Sequence, residues 1–144
     1  MQNGFELIVR ALIIKDRKIL VCQTSGHDYY FLPGGHVEFG ETMRAALLRE
    51  LREEMDARVT MSKFIGGVEN LFEQNYRQKH EITFLYHVDI DLIEVVSKEE
   101  HIEFSWFSYE EFIENNIVPP ALKDAIIVWT AEKETFFIEG RSSK

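Results

Sequence analysis

The sequence predicts a mixed α/β (α+β) fold in a single globular domain, and three observations lead to this expectation. Short apolar stretches of strand type are interleaved along the chain with stretches of helical periodicity. A hydrophobic content of 45% beside a charged content of 28% is ordinary for a globular protein. With 144 residues and no repeat or low-complexity linker, we expect a single domain over residues 1–144. Residues 139–144 are predicted to be a poorly ordered tail.

The first elements are two strands and an approach to a glycine turn. Residues 5–14 and 19–24 are predicted strands on either side of a turn at residues 15–18. The first strand carries apolar side chains on both alternating faces, which is typical of a central strand covered on both sides. Residues 30–32 are a predicted short strand leading into Pro33-Gly34-Gly35, where glycine permits a close approach of the backbone to a ligand.

A helix and a long β region follow the glycine turn. The helix is predicted to run from an N-cap at Thr42 to Met55. Residues 58–72 contain strand-like pieces interrupted by Gly66-Gly67, where we expect a β-bulge. The polar residues 74–79 are predicted to form a loop.

The last third of the chain adds two strands and two helices. Residues 81–90 and 104–107 are predicted strands. Ser108-x-x-Glu111 is a capping box that opens a short helix to about residue 115. Pro119-Pro120 begins a last helix, which we expect to continue through about residue 133.

Three glutamates crowd the last turns of the first predicted helix. Glu50, Glu53 and Glu54 are related by spacings of three and four residues, so their side chains share one face. Like charges at these spacings repel one another, and they face the negative end of the helix dipole. A divalent cation such as Mg²⁺ would turn this repulsion into coordination by oxygen ligands. The alternative is a solvated face on which Arg49 and Arg52 offset the acids through salt bridges.

The residues around these glutamates match a known motif. From Gly35 the spacing is five residues to Glu41, seven residues to Arg49-Glu50-Leu51, one residue, and then Glu53-Glu54. This pattern resembles the Nudix box, the signature of Nudix hydrolases, which cleave nucleoside diphosphates linked to another group. The box normally ends in a glycine and a bulky aliphatic residue, and Asp56 and Ala57 depart from that pattern. Asp56 nevertheless suits a helix end, because aspartate tolerates the left-handed conformation found there.

The resemblance implies a fold, a reaction and a cofactor. The expected fold is a mixed β-sheet sandwiched between α-helices. The expected reaction is metal-dependent hydrolysis of a pyrophosphate bond, through attack of water on phosphorus. Mg²⁺ is the expected cofactor, with Mn²⁺ as a substitute. Its expected ligands are Glu50, Glu53 and Glu54, with the carbonyl oxygen of Gly35 as an additional donor.

Other residues of the motif receive supporting roles. Arg49 precedes Glu53 by four residues and can hold a glutamate in its ligating orientation. Glu41 is assigned to structure, because a carboxylate at a helix start favours the positive end of the dipole. The general base is either a box glutamate, Glu50 or Glu53, or a later acid, for which Glu81 is the candidate. The alternative for Glu81 is an ordinary carboxylate on an edge strand.

Substrate binding is predicted for five residues: Arg10, Leu32, Gly34, Gly35 and Tyr76. Arg10 is unusual inside an apolar strand; it either reaches a phosphate or forms an ion pair at the end of the strand. Tyr76 lies in the region where dinucleoside polyphosphate hydrolases carry a tyrosine. The substrate stays open among a nucleoside triphosphate, a dinucleoside polyphosphate and a nucleotide-linked diphosphate.

Charge and cysteine content limit the partners and the compartment. Lys and Arg number 16 against 25 Asp and Glu, and a net charge of −9 opposes broad binding to nucleic acid. The single Cys22 excludes an internal disulfide. The apolar run at residues 7–14 is interrupted by Arg10 and too short to span a bilayer. No targeting segment is evident. We therefore expect a cytoplasmic protein that binds a small-molecule nucleotide, with a homodimer implied by the resemblance alone.

Two other functions are compatible with this motif region. A catalytically weak Nudix-like module would bind a nucleotide or regulate another protein, but such modules usually lose the box glutamates that are all present here. Isopentenyl-diphosphate isomerase resembles Nudix enzymes and uses an active-site cysteine. Cys22 lies on an early strand well before the box. The hydrolase is therefore the favoured interpretation.

Overall fold

The computed structural model describes residues 4–92 and 94–141, which form a seven-stranded mixed sheet with three helices. In chain order the elements are β1 (Phe5–Lys15), β2 (Lys18–Thr24), β3 (Gly34–His36), α1 (Met43–Met55), β4 (Val59–Gln74), β5 (Arg77–Ile90), β6 (Ile102–Ser108), α2 (Tyr109–Glu114), α3 (Pro120–Glu132) and β7 (Phe136–Arg141). The predicted α+β class with a mixed sheet is confirmed. None of the helices in these residues is long and apolar enough to cross a membrane.

The strand order is β6-β2-β1-β5-β4-β7, and β3 also pairs with β1. Strand β1 runs parallel to β5, and β4 runs parallel to β7, whereas the other neighbours are antiparallel. The predicted central position of the first strand is confirmed, because β1 has paired neighbours on both sides and a core on each face.

Each face of the sheet packs against a different helix. On the face that we call the α3 face, Leu12 and Leu85 contact Leu122 and Ile126 of α3 within one buried cluster. On the opposite face, buried residues of β1 and β5 pack against α1, whose buried positions are Ala46, Leu47, Leu51 and Met55. The spacing of these apolar positions in α1 fixes which side of the helix faces the sheet, and it leaves the glutamates on the adjacent side.

The helix ends follow the sequence signals. The Thr42 hydroxyl accepts a hydrogen bond from the Ala45 N–H at 3.0 Å, as expected for an N-cap. Asp56 adopts the left-handed conformation with φ 54°, as its position at the edge of the motif suggested. The predicted capping box of Ser108 and Glu111 is present in full. All these signals are local in sequence, which is why they could be read directly.

The predicted loop at residues 74–79 is wrong. Strands β4 and β5 continue through this region and are joined by a two-residue turn at Asn75 and Tyr76, both with positive φ. This geometry belongs to a tight hairpin turn whose twist matches that of its strands. The polar composition misled the prediction, because the hairpin end extends into solvent and has no buried face to impose an apolar alternation.

The predicted strand at residues 30–32 is also wrong. This segment forms only single bridges, Phe31 with Cys22 and Tyr30 with Ile117, and the strand that pairs with β1 is Gly34–His36. Two glycines and a histidine carry little strand propensity, so the pairing is imposed by the tertiary fold.

The predicted tail at residues 139–144 is corrected in its first half. Residues 139–141 belong to β7, which pairs with β4 from Gly66 opposite Phe136 to Leu71 opposite Arg141. Residues 142–144 lie outside the described residues.

The predicted bulge near Gly66 is confirmed, because the pairing of β4 with β5 shifts register between Phe64 and Gly66.

Candidate active site

The short strand β3 brings a glycine pair against the acidic side of α1. Gly34 has φ 140°, and a Cβ there would overlap the carbonyl oxygen of Val9 on β1. A Cβ on Gly35 would overlap the carboxylate of Glu50. Both positions therefore need glycine, since a side chain would separate the strand from its neighbour or expel the glutamate.

Arg49 joins the glycine turn to the start and the middle of α1. Its Nε and Nη2 donate to the two carboxylate oxygens of Glu41 at 2.7 and 2.9 Å, and Nη2 also donates to the His36 carbonyl at 3.0 Å. Its Nη1 donates to Glu50 at 3.1 Å and to Glu53 at 3.4 Å. The bidentate contact lowers the pKa of Glu41 to about 2, with a further contribution from the Glu38 N–H.

The two inner glutamates of α1 carry an electrostatic conflict. Burial, and after it the nearby charge of Glu50, raises the pKa of Glu54 to about 8, although the Gly34 N–H donates to its Oε1 at 3.2 Å. Burial also raises the pKa of Glu50, against the opposing effect of Arg49. Both carboxyl groups are thus held where their charged form is unfavourable, and a bound cation would relieve that cost.

The donor set fits a hard divalent cation. Glu50, which lies against Gly35, and Glu54 offer carboxylate oxygens, which are the ligands that Mg²⁺ prefers. The third predicted ligand, Glu53, is 56% exposed at its side chain and turns toward Arg49. Within residues 4–92 and 94–141, no three His, Cys, Asp or Glu side chains form a ready-made metal site. The box glutamates as ligands therefore stay a prediction.

Arg10 lies next to the glycine pair, directly opposite Gly34 in the pairing of β1 with β3. Its Nη1 donates to the Leu32 carbonyl at 3.1 Å, and the guanidinium carbon lies 5.6 Å from the Phe31 ring centroid. Burial lowers the pKa of Arg10, while nearby acids, Glu54 among them, favour its charged form. It makes no ion pair among the described residues, so the alternative of an end-of-strand ion pair does not hold.

Glu81 lies inside the sheet, so the alternative of an ordinary carboxylate on an edge strand does not hold. Strand β5 runs between β1 and β4, and Glu81 pairs with Glu6 on one side and Asn70 on the other. Partner residues share a face of the sheet, so Glu81 faces the same side as Glu6. Arg10 is four residues after Glu6 on β1, so its side chain faces that side as well. Burial raises the pKa of Glu81, and the charge of Glu6 raises it further.

A polar cluster around Glu6 was not predicted from the sequence. Glu6 contacts His36 Nε2 at 2.8 Å and accepts from Lys79 Nζ at 3.2 Å, and the His36 contact is the largest cause that lowers the pKa of Glu6. One signal was available, since Glu6 and Arg10 are four residues apart on one strand and therefore share a face. The partners on β3 and β5 depend on strand register, which the sequence did not disclose.

Tyr76 lies apart from these residues. It is at the turn between β4 and β5, and 99% of its surface is exposed. The pairing places Glu81 several residues along β5 from this turn. The structure thus brings together Arg10, Leu32, Gly34, Gly35 and the box glutamates. Glu81 lies nearby on the α3 face of the sheet, and Tyr76 lies away from all of them.

A family model for the NUDIX domain matches residues 5–126 of the chain. The chain belongs to the Nudix family. The predicted Nudix fold and the predicted class of enzyme, a Nudix-type pyrophosphohydrolase, are confirmed. The match extends from β1 into α3, so it includes the glycine pair, the acidic helix and the strands that carry Arg10 and Glu81.

Several Nudix relatives are similar to this chain over different lengths. The CTP pyrophosphohydrolase of Escherichia coli (strain K12) is 29% identical over 116 residues, which cover 78% of this chain and 82% of that relative. An NAD-capped RNA hydrolase NudC of Pseudomonas aeruginosa is 32% identical over 87 residues, 56% of this chain and 29% of that relative. The ADP-ribose pyrophosphatase of Methanocaldococcus jannaschii is 33% identical over 85 residues, 57% of this chain and 49% of that relative. This chain spans less than half of the last two proteins.

Solved Nudix structures share the fold. The solution structure of the E. coli ORF135 protein has a TM-score of 0.63 at 26% identity, covering 90% of this chain and 94% of that one. The MutT protein from Methanosarcina mazei has a TM-score of 0.72 at 24% identity, covering 92% of this chain and 98% of that one.

Proposed function

We propose that the protein hydrolyses a nucleoside triphosphate at a pyrophosphate bond in a Mg²⁺-dependent reaction. The observation that carries the proposal is the pair of half-buried glutamates beside the half-buried cation of Arg10, with Glu50 against Gly35 and Glu54 accepting from the Gly34 N–H. The CTP pyrophosphohydrolase supports the choice of a triphosphate, because that likeness extends over 82% of the relative. The similarities to the NudC hydrolase and the ADP-ribose pyrophosphatase cover only 29% and 49% of those proteins, so they give less support to the substrates that those names indicate.

The residues would divide the work between metal binding and orientation. Glu50, Glu53, Glu54 and the Gly35 carbonyl would hold Mg²⁺, with Mn²⁺ as a substitute. When bound, such a cation neutralises phosphate charge and makes its coordinated water more acidic. Arg49 orients the carboxylates of Glu50 and Glu53 by donating to both.

Arg10 and the glycine pair would bind the phosphates. Apart from the Leu32 carbonyl, the described residues give the Arg10 guanidinium no hydrogen-bond acceptor, so most of its donors are available to a phosphate. The absence of side chains at Gly34 and Gly35 lets a substrate approach the backbone beside the acidic pair.

The attacking water needs a general base, and three glutamates are candidates. A raised pKa makes a carboxylate a stronger base at neutral pH. Burial raises the pKa of Glu50 and of Glu81, which supports these two over an exposed carboxylate. Glu53, 56% exposed beside Arg49, is the third candidate. The base removes a proton from water as the water oxygen bonds to the α-phosphorus, and the leaving pyrophosphate takes the electrons of the broken P–O bond.

The test is phosphate and pyrophosphate release, with and without Mg²⁺, from nucleoside triphosphates, dinucleoside polyphosphates, nucleotide sugars and ADP-ribose. We expect metal-dependent release of pyrophosphate from a triphosphate. Glu53→Gln and Glu81→Gln should be compared with Glu132→Gln, an exposed carboxylate on α3 that serves as the matched control. A loss of turnover by orders of magnitude in one site variant, with the control unaffected, would identify the base.

Other outcomes would reject the proposal. Turnover confined to ADP-ribose or to a dinucleoside polyphosphate would reassign the substrate. Nucleotide binding without any turnover would favour the alternative of a binding or regulatory module. The isomerase alternative needs a reactive thiol, whereas Cys22 is 1% exposed and burial raises its pKa well above the usual value.

A further inference from the structure

Two polar side chains are buried in the floor of the sheet beside the site. Asn70 on β4 is 6% exposed and Thr83 on β5 is 3% exposed, whereas the other fully buried side chains of the described residues are apolar. Neither side chain makes a hydrogen bond within residues 4–92 and 94–141. Buried amides and hydroxyls are normally paired, so both groups need an explanation.

These two side chains share the α3 face with Arg10, one of the proposed phosphate-binding residues. Asn70 pairs with Glu81, and Thr83 pairs with Ile8, so all four lie on one face. No fully enclosed side-chain nitrogen or oxygen of the described residues lacks a partner. The unpaired polar atoms of Asn70 and Thr83 therefore retain some accessible surface, through which a ligand would have to reach them.

The start of α3 forms a wall next to Asn70. Gly140 on β7 pairs with Asn70, and a Cβ at this position would lie 2.8 Å from Ala121 Cβ and 3.3 Å from Asn70 Oδ1. Helix α3 thus approaches the sheet closely at Gly140. This contact lies on the far side of Asn70 from the proposed phosphate site. The floor between this wall and Arg10 holds Glu81, Thr83 and Asn70.

We infer that Asn70, assisted by Thr83, binds the nucleobase of the substrate and contributes to base preference. Strand β4 is three strand spacings from the glycine pair on β3, roughly 14 Å, with Arg10 and Glu81 on the strands between. A nucleoside triphosphate whose phosphates lie at the glycine pair can extend its base to this distance. A carboxamide offers one donor beside one acceptor, which matches the edge of a nucleobase. This inference rests on the proposed function for the kind of ligand.

The experiment measures binding, so that it does not depend on turnover. Isothermal titration of the full-length protein in Mg²⁺ would use the four nucleoside 5′-monophosphates, with ribose 5-phosphate as the ligand that lacks a base. We expect Asn70→Leu, of nearly the same size, to weaken the best-bound monophosphate by about tenfold. Its affinity for ribose 5-phosphate should not change. Thr83→Val should give a smaller loss in the same direction.

Two further variants make the result decisive. Gln78→Leu is the control, because it places the same side chain on the exposed part of the same hairpin. Asn70→Asp keeps the size and one acceptor but removes the donor, so it should change the order of preference among the four bases even if Asn70→Leu fails to fold.

Three outcomes would overturn the inference: equal binding of monophosphates and ribose 5-phosphate by the wild type, unchanged base preference in Asn70→Asp, or equal weakening of both ligand classes in Asn70→Leu. Failure of the proposed function looks different. In that case no triphosphate is hydrolysed, while the dependence of monophosphate binding on Asn70 persists.

Discussion

Replacing Glu54 by glutamine should stabilise the metal-free protein at neutral and alkaline pH. Burial raises the pKa of Glu54 to about 8 in the folded protein, from 4.5 for an unperturbed glutamate. Between these values the folded state holds a proton that the unfolded state has released, so stability falls as the pH rises. Glutamine removes this effect and keeps the oxygen that accepts the Gly34 N–H. The variant should therefore gain on the wild type with increasing pH.

The size of the effect follows from the shift. At about 1.4 kcal/mol per pKa unit, the shift from 4.5 to about 8 corresponds to an upper bound of about 5 kcal/mol. The Glu54 side chain is only partly buried, so solvent screening lowers this figure, and we expect about half of it. The advantage of the variant should be negligible below pH 4.5, grow up to about pH 8, and remain constant above it.

The assay is urea denaturation of both proteins from pH 5 to pH 9 in a chelator, with the free energy of unfolding compared at each pH. Glu132→Gln is the control, because it removes an exposed carboxylate and should show no such pH dependence. A difference that is independent of pH would refute the reasoning, and so would a Glu54→Gln variant less stable than the wild type at pH 9.

Four further predictions concern the same site. Gly35→Ala should reduce turnover by about 100-fold or more, because its Cβ would displace the Glu50 carboxylate; steady-state kinetics with an unchanged melting temperature would separate this from unfolding. Arg49→Lys should lower kcat by about 10-fold or more, because lysine cannot make the bidentate contact to Glu41; wild-type kcat would contradict it. Asp56→Gly should keep activity and raise stability by about 1 kcal/mol at most, since φ is 54° there; urea denaturation checks the sign. Mg²⁺ at about 100 times its Kd should stabilise the wild type by about 2.7 kcal/mol, and a thermal melt unchanged at millimolar Mg²⁺ would count against a metal site.

The acidic helix could be predicted almost completely from the sequence, because its signals are local. The N-cap at Thr42, the left-handed Asp56 and the shared face of the glutamates depend on spacings within α1 and its flanks. The resemblance to the Nudix box has the same origin. The structure adds the contrast between Glu54, whose pKa is raised to about 8, and the exposed Glu53, which depends on the tertiary packing around each carboxylate.

The floor of the site could not be predicted, because it depends on strand register. Glu6 and Glu81 become neighbours only through the parallel pairing of β1 with β5, and Asn70 joins them through the hairpin of β4 and β5. Strand β7 was missed for the same reason. Its partner β4 lies far earlier in the chain, and polar residues such as Glu139 gave its end the composition of a tail. Pairing over such separations leaves no periodic signal in a single sequence.

The hydrogen bonds of Arg49 favour the metal-binding interpretation of the acidic helix over the salt-bridge interpretation. A salt-bridge helix would need Arg49 and Arg52 to compensate the inner glutamates. Arg49 instead commits two of its nitrogens to Glu41 and reaches the inner pair only through Nη1, which donates to Glu50. Arg52 forms no ion pair within the described residues. The result is visible in the carboxyl groups themselves, because burial raises the pKa of both Glu50 and Glu54 in spite of the neighbouring arginines. The helix thus uses most of the Arg49 donors at its start and compensates the inner pair only through the single Nη1 contact to Glu50. This partial compensation favours the prediction that the helix binds a metal ion.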